Sequence, residues 1–503
     1  MAGGTRDPIL RAAKEAEAPS VPASRLFVHL RVHSAYSLLE GALPIGKVGA
    51  KAAECLDKMG WHWWPGTNAI PSLPYNGLNP CARRGTCMSG CPEGAKSTTD
   101  LTHWPHAIKA GARLVTGARV REITAAALEK EGLAEARVIA EKMGAEAKGE
   151  SSLAEARAID ALDREARQAL PLCGVPWARK DLFSVPGETA TFGAHERFHR
   201  RGTDLAPAIA SLRTAGGVDF GALHMSEFAM GPSGWSSANG AIENPLDASR
   251  ISGGSSSGSA ACVGGKLVFG SLGTDTGGSN RIPAAFCGVV AMKPSGGRIS
   301  TTGALPVSGT LDTVGPFARS AEDCALLFAA LAGGARPPKP EGRLRFGLLS
   351  QDSLPVTPDS EVLLAVQDVA ARLEDAGYGV REVRWSDFAE TNMLSGTVFL
   401  AEAATAHLHN LVHHAGLIGP QVRERLLQGL ACPAPVYLSA LDARAERSAR
   451  FQDKVLADID VLLLPVSPSR APLRGAYADM DDVGDILKLN ARVAAYTGGF
   501  NYL

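Results

Sequence analysis

Beyond residue 170 the chain alternates helical patterns with short apolar strands, and this alternation limits the possible folds more than any other feature. Leu205, Ile209 and Leu212 fall on one helical face, and VDFGAL, just after a pair of glycines, reads as a strand. The helical pattern in PDSEVLLAVQDVAARLEDAG precedes the strand-like YGVREV, and a helix before Asp458 leads into IDVLLLPV. Such alternation predicts an α/β layered domain around a mostly buried sheet. From Ala126 to Leu170 the sequence is rich in Ala, Glu and Arg, as in SSLAEARAIDALDREARQAL, and reads as helix. No short-period repeat is evident.

With 503 residues the chain exceeds the roughly 250 to 300 at which single cores stop growing, so one large domain with extra pieces is expected. Apolar residues at 45% and charged residues at 20% suffice for a sizeable core. Lys and Arg number 51 against 52 Asp and Glu, which leaves no field to draw nucleic acid or an anionic membrane. A small neutral-to-mixed ligand fits better. The first residues scatter their charge and lack the apolar core of a secretory segment, and no apolar run is long enough to span a bilayer. Nine cysteines, an odd number spread along the chain, point to reduced thiols and a cytoplasmic setting.

Two Gly/Ser loops lie close together: SGGSSSGSAACVGG at 252–265 and GTDTGGSNRIP at 273–283, separated by the strand-like KLVFGSLG. A flexible linker is the bland alternative, but a linker has no reason to sit mid-domain beside an apolar strand or to carry the charged pair Asp275 and Arg281. Glycines here suit backbone N–H groups that converge. Serine is a poor nucleophile at its free pKa and needs a base and an oxyanion site. Lys180, in LPLCGVPWARKDLF, follows an apolar, Pro-bounded stretch in which burial would depress its pKa and free the amine; a surface ion pair with Asp181 is the alternative.

PLCGVPWARKDLF, GGSSSGSAA and GTDTGGSNRIPAAFCG, in this order and spacing, resemble the amidase signature family from about residue 150 onward, and VVAMKPSGGRISTTGALPVSGTLDTVGPFARSAEDCALL continues the likeness. The resemblance implies an α/β/α sandwich with a mixed central sheet. It implies Ser279 as nucleophile, Ser255 as a bridging serine with a cis peptide, and Lys180 as terminal base, with the backbone of Thr276, Gly277 and Gly278 as oxyanion hole. Asp275 and Arg281 would brace the loop, an ordinary loop ion pair being the alternative. Ser256 is a candidate partner for the lysine or a cap for a helix beginning near Ser259, and capping is expected of Ser257. No metal or cofactor is needed for this chemistry.

The N-terminal part reads differently. Residues 1–24 suggest a disordered leader. Residues 25–59, with FVHLRVHSAYSLLEGALPI, resemble the opening of the polymerase-and-histidinol-phosphatase domain of DNA polymerase III alpha subunits, but the ligands that would join His29 or His33 in a metal centre are missing. Residues 60–123 resemble an interior stretch of glucose-methanol-choline oxidoreductases, without the upstream G-x-G-x-x-G that flavin binding needs. Cys81, Cys87 and Cys91 match no standard cluster spacing. His407, His409, His413 and His414 read as a partly exposed helix face rather than a metal site. Irregular fragments thus precede an amidase signature domain at 124–503. Its closing NARVAAYTGGFNYL stops where that family continues into further strands, so an incomplete sheet edge is expected.

The leading expectation is a serine amidase acting on a small-molecule linear amide, with no nucleic acid or membrane partner and a homodimer left open. The alternatives are an amidotransferase-type subunit of the same fold and a non-catalytic mosaic of family fragments.

Overall fold

The computed structural model describes residues 149–334 and 342–503. The leader, both N-terminal fragments, His29, His33, Cys81, Cys87 and Cys91 lie outside the described residues. Helices at Gly149–Asp160 and Arg164–Ala169 open the described part where the Ala/Glu/Arg-rich text predicts them.

Ten strands follow: β1 Pro176–Lys180, β2 Thr189–Ala190, β3 Arg200–Arg201, β4 Val218–Leu223, β5 Gly270–Asp275, β6 Val290–Ala291, β7 Thr313–Ala318, β8 Arg345–Leu349, β9 Gly379–Val383 and β10 Val461–Leu463. The central sheet runs β4-β1-β5-β7-β6. The first three strands are parallel, and β7 is antiparallel to both β5 and β6, so the sheet is mixed as expected. Beside it, β10-β8-β9 form a three-stranded parallel sheet, and β2 and β3 form an antiparallel pair.

Parallel neighbours need crossovers, and helices supply them. The helix α1 Pro207–Thr214 joins β1 to β4, with Ile209 and Leu212 buried, and α2 Ser257–Gly264 joins β4 to β5. Along the strands successive side chains go to opposite faces. Trp177, Leu272, Val314 and Ala318 pack with Ile209, Leu212 and Leu327 in one core. Ala178, Leu223 and Phe317 pack with Ala260, Ala261, Cys262 and Val263 of α2 in the other. Every residue of β1, β5 and β7 is buried, as central strands covered on both faces must be.

One strand lies elsewhere than KLVFGSLG predicts. Residues 266–269 form turns and bends, Phe269 is exposed, and β5 begins at Gly270. Tight packing explains the shift toward small residues: a Cβ on Gly270 would stand 2.4 Å from Leu327 Cδ1, and one on Gly273 2.5 Å from Asn280 Oδ1. The middle strand of the sheet therefore has glycine at positions 270 and 273, where no side chain fits.

Candidate active site

Lys180 ends β1 and is wholly buried. Its Nζ donates to Ser255 Oγ at 2.8 Å and to Thr274 Oγ1 at 3.0 Å. Burial lowers its pKa to about 7, against the pull of the Asp275 and Asp312 carboxylates, which favour the charged form. An amine in that state carries a free lone pair over much of the physiological range.

Ser255 sits where two loops press together. The Gly254 N–H donates to the Pro232 carbonyl at 2.8 Å, the Ser226 N–H donates to the Ser255 carbonyl at 3.1 Å, and the Gly254–Ser255 peptide is cis. A Cβ on Gly254 would lie 2.4 Å from the Gly231 carbonyl oxygen and 2.6 Å from Ser226 Oγ, so close backbone approach requires the glycine. The next residue joins this loop to the second one, because the Ser256 N–H donates to the Ser279 carbonyl at 3.2 Å. Ser279 is half-buried. Among the described residues no hydrogen bond links the Ser255 and Ser279 hydroxyls; the backbone bond from Ser256, the next residue, ties the two loops together.

Asp275, at the end of β5, organises the turn that carries Ser279. Its carboxylate accepts N–H groups from Gly278 at 2.8 Å and Asn280 at 3.0 Å, and it meets Arg281 Nη2 at 2.9 Å and Nε at 3.1 Å. Asn501 Nδ2 adds a bond to the same carboxylate at 2.9 Å. Burial alone would raise its pKa, but the Arg281 guanidinium and these donors hold it well below the usual carboxylate range.

This geometry corrects part of the expected oxyanion set. The Gly278 N–H is committed to Asp275 and unavailable to a substrate. Among the described residues the N–H groups of Thr276, Gly277 and Ser279 make no hydrogen bond, so the free donors flank Gly278 rather than include it. Ser256 does not reach Lys180; its Oγ bonds the Thr274 carbonyl and Asn280 Oδ1, both at 3.2 Å. The helix begins at Ser257 rather than near Ser259. Ser257 is no cap either, for its hydroxyl is buried without a hydrogen-bond partner.

The four histidines split. His407 is buried against Phe228, ring centroids 4.4 Å apart, and burial lowers its pKa to about 4, with Arg200 adding to the effect. His409 and His413 are exposed and His414 is half-buried. The helix face is therefore only partly the solvated one expected. No described helix is long and apolar enough to cross a membrane. The five described cysteines form no disulfide among the described residues.

The Amidase family profile matches residues 130–497. The chain belongs to the Amidase family. The A subunit of glutamyl-tRNA(Gln) amidotransferase from Acidobacterium capsulatum is 32% identical over 394 residues, covering 69% of this chain and 81% of that protein. Its counterpart from Acinetobacter baylyi is 34% identical over 393 residues, with 69% and 78% covered. Among solved structures, one described as "Crystal structure of amidase" shares 34% identity at a TM-score of 0.63, covering 73% of this chain and 86% of that one. The 6-aminohexanoate cyclic dimer hydrolase complexed with substrate shares 25% identity at a TM-score of 0.60, with 70% and 83% covered. This Amidase-family chain is thus an amide-cleaving enzyme of mixed α/β fold. The match supports neither N-terminal likeness, since it starts at residue 130.

Several residues of the candidate site carry no signal in the sequence. Thr274 is the lysine's second partner, and Asp312 accepts from the Thr276 hydroxyl. Thr497 and Asn501 close on the turn from more than 200 residues away. A β1–β5 pairing that sets Arg179 opposite Leu272 brings Lys180 beside Thr274, but register between distant strands is not written in either strand alone.

Proposed function

We propose that this chain cleaves a carboxamide C–N bond through an acyl-enzyme on Ser279, with Ser255 and Lys180 as the proton relay. The observation that carries the reading is the 2.8 Å contact between a buried Lys180 Nζ and Ser255 Oγ, at a lysine whose pKa lies near 7. Ser279 Oγ attacks the amide carbonyl; its proton passes to Ser255 as the Ser255 proton passes to neutral Lys180. The carbonyl oxygen takes up negative charge facing the free N–H groups of Gly277 and Ser279, with Thr276 beside them. The C–N bond then breaks and the relay returns the proton to the leaving amine. Water repeats the sequence on the ester, releasing the carboxylic acid and restoring Ser279.

Asp275 and Arg281 act behind the turn, fixing the backbone that presents Ser279. The substrate class proposed is a small linear amide. Its test is labelling with a fluorophosphonate serine probe and mapping of the modified peptide, followed by hydrolysis of a carboxamide panel that includes glutamine. Labelling that maps to Ser279 and ammonia release from a simple carboxamide support the reading; labelling elsewhere overturns it.

A second reading is favoured by the amidotransferase subunits among the relatives, each named for a reaction on glutamyl-tRNA(Gln). In that reading the same Ser279 chemistry releases ammonia from glutamine for use by a partner protein. Glutaminase activity that appears only when partner subunits are added, with simple carboxamides untouched, selects it.

A further inference from the structure

The Gly277–Gly278 peptide is held at both poles. Its carbonyl accepts the Thr497 hydroxyl proton, and its N–H donates to Asp275 Oδ1 at 2.8 Å. Thr497 is buried, its hydroxyl lies 3.2 Å from the Ala494 carbonyl as a longer second contact, and its own carbonyl accepts Arg281 Nη1 at 3.0 Å. One residue, 220 positions from Gly277, is therefore tied to the turn through its side chain and to the turn's brace through its backbone.

A peptide between two glycines has little else to hold it. Nothing lies within 4 Å of where a Cβ on Gly277 would be, and Gly278 has φ +129°, a conformation open to glycine alone. Rotation about the bonds on either side of this peptide would draw its N–H off Asp275 and swing the adjoining peptides, which carry the free N–H groups of Gly277 and Ser279. N–H groups turned off their aim stabilise a developing oxyanion less.

We propose that Thr497 is a positioning residue for amide cleavage: its hydroxyl locks the Gly277–Gly278 peptide so that the flanking N–H groups stay aimed at the oxyanion. This rests on the acyl-enzyme reading above. Thr497 touches no reacting atom and acts through the turn.

The test is the fluorophosphonate labelling rate of the full chain, measured against probe concentration and pH. In that reaction Ser279 Oγ bonds to phosphorus, fluoride leaves, the proton goes to Lys180 through Ser255, and the phosphoryl oxygen occupies the oxyanion position. Thr497→Val keeps the shape and removes the hydroxyl. It should lower the maximal labelling rate about tenfold, in line with loss of aim rather than of a donor, and leave the half-saturating probe concentration unchanged. The midpoint of the pH–rate curve should stay at the wild-type value, since Lys180 is untouched, while loss of one buried hydrogen bond should lower the melting temperature by only a few degrees, about 2–4 °C. Thr497→Ser, which retains the hydroxyl, should recover most of the rate. Wild-type labelling in Thr497→Val overturns the assignment, as does Thr497→Ser slowed equally, or a shifted pH midpoint, each of which marks a packing role. Should Thr497→Val fail to fold, Thr497→Ala against Thr497→Ser makes the same comparison. Labelling that persists in Ser279→Ala defeats the acyl-enzyme reading itself; its loss there beside wild-type labelling in Thr497→Val defeats the Thr497 assignment alone.

Discussion

Arg281 closes a two-point ion pair on Asp275, Nη2 to Oδ1 at 2.9 Å and Nε to Oδ2 at 3.1 Å, across the turn that carries Ser279. All the other hydrogen-bonding groups that meet this carboxylate, the N–H groups of Gly278, Asn280 and Arg281 and the amide of Asn501, are also donors. The site demands an acceptor at both oxygens. Asp275→Asn turns one oxygen into a donor and strips Arg281 of its charge partner, so about 3 kcal/mol of stability should be lost. Urea denaturation of the full chain measures it, and a change under about 1 kcal/mol would show the turn to be held by its glycines rather than its carboxylate.

The relay predicts a rising pH limb. Lys180 must be neutral to accept a proton, so the labelling rate of Ser279 should climb as pH passes through about 7 and level off above it. Stability follows the same group. Its folded pKa lies below the ordinary lysine value of 10.5, so the unfolded chain binds the extra proton between about 7 and 10.5, and stability should rise with pH across that window. Lys180→Met should remove the limb near 7, leaving only slow labelling at alkaline pH, and should remove this group's share of the stability rise. A wild-type limb in that variant would remove Lys180 from the relay.

Nucleophile and relay separate by mutation. Ser279→Ala should lose all labelling, whereas Ser255→Ala and Lys180→Ala should keep a slow, alkaline-dependent labelling, reduced about 10²-fold to 10⁴-fold. The double variant should be no slower than the slower single one, because both cut one proton path. Additive losses would mean two independent paths.

How far the sequence reveals this site depends on how local each constraint is. VDFGAL is β4 to the residue, because its glycines and alternating apolar positions act within one segment. Lys180, Ser255 and Ser279 are legible through three motifs whose order and spacing survive in one chain. The small-residue strand β5 is not, since its cause is the side chain of Leu327 on a helix packed across it. Nor is the commitment of the Gly278 N–H, which follows from where Asp275 turns its carboxylate. Thr497 and Asn501 meet the turn through a few hydrogen bonds over long separations, and neither residue type announces a partner.

The two glycines before Ser279 are not equivalent. At Gly278 an added Cβ would fall 2.3 Å from Thr497 Oγ1 and 2.7 Å from Ile282 Cδ1, at φ +129°; at Gly277 it would meet nothing within 4 Å. Gly278→Ala should cost about 2 kcal/mol or more, and Gly277→Ala less than about 0.5 kcal/mol. Equal losses on thermal or urea unfolding would mean that the turn needs both positions free of a side chain.

Glu227 gives the chain a second pH-dependent group, away from the relay. It is buried, and both of its carboxylate oxygens accept the Gly419 N–H, at 3.1 and 3.0 Å, at the start of the helix Pro420–Leu430. Burial pushes its pKa up to about 7, although the Gly419 bond favours the charged form. A raised folded pKa means that the folded chain holds its proton more tightly than the unfolded one. The stability this confers is complete below about 4.5, the ordinary glutamate value, and is lost as pH rises through about 7. His407 works the other way, losing stability as pH falls from 6.5 toward 4, so the wild-type curve mixes the two. Comparing wild type with Glu227→Gln cancels the His407 part. The variant should show no Glu227-dependent descent between pH 4.5 and 7, and its melting temperature should gain on wild type steadily across that interval. A constant offset between the two melting curves at every pH would mean that Glu227 keeps an ordinary carboxylate pKa in the folded chain.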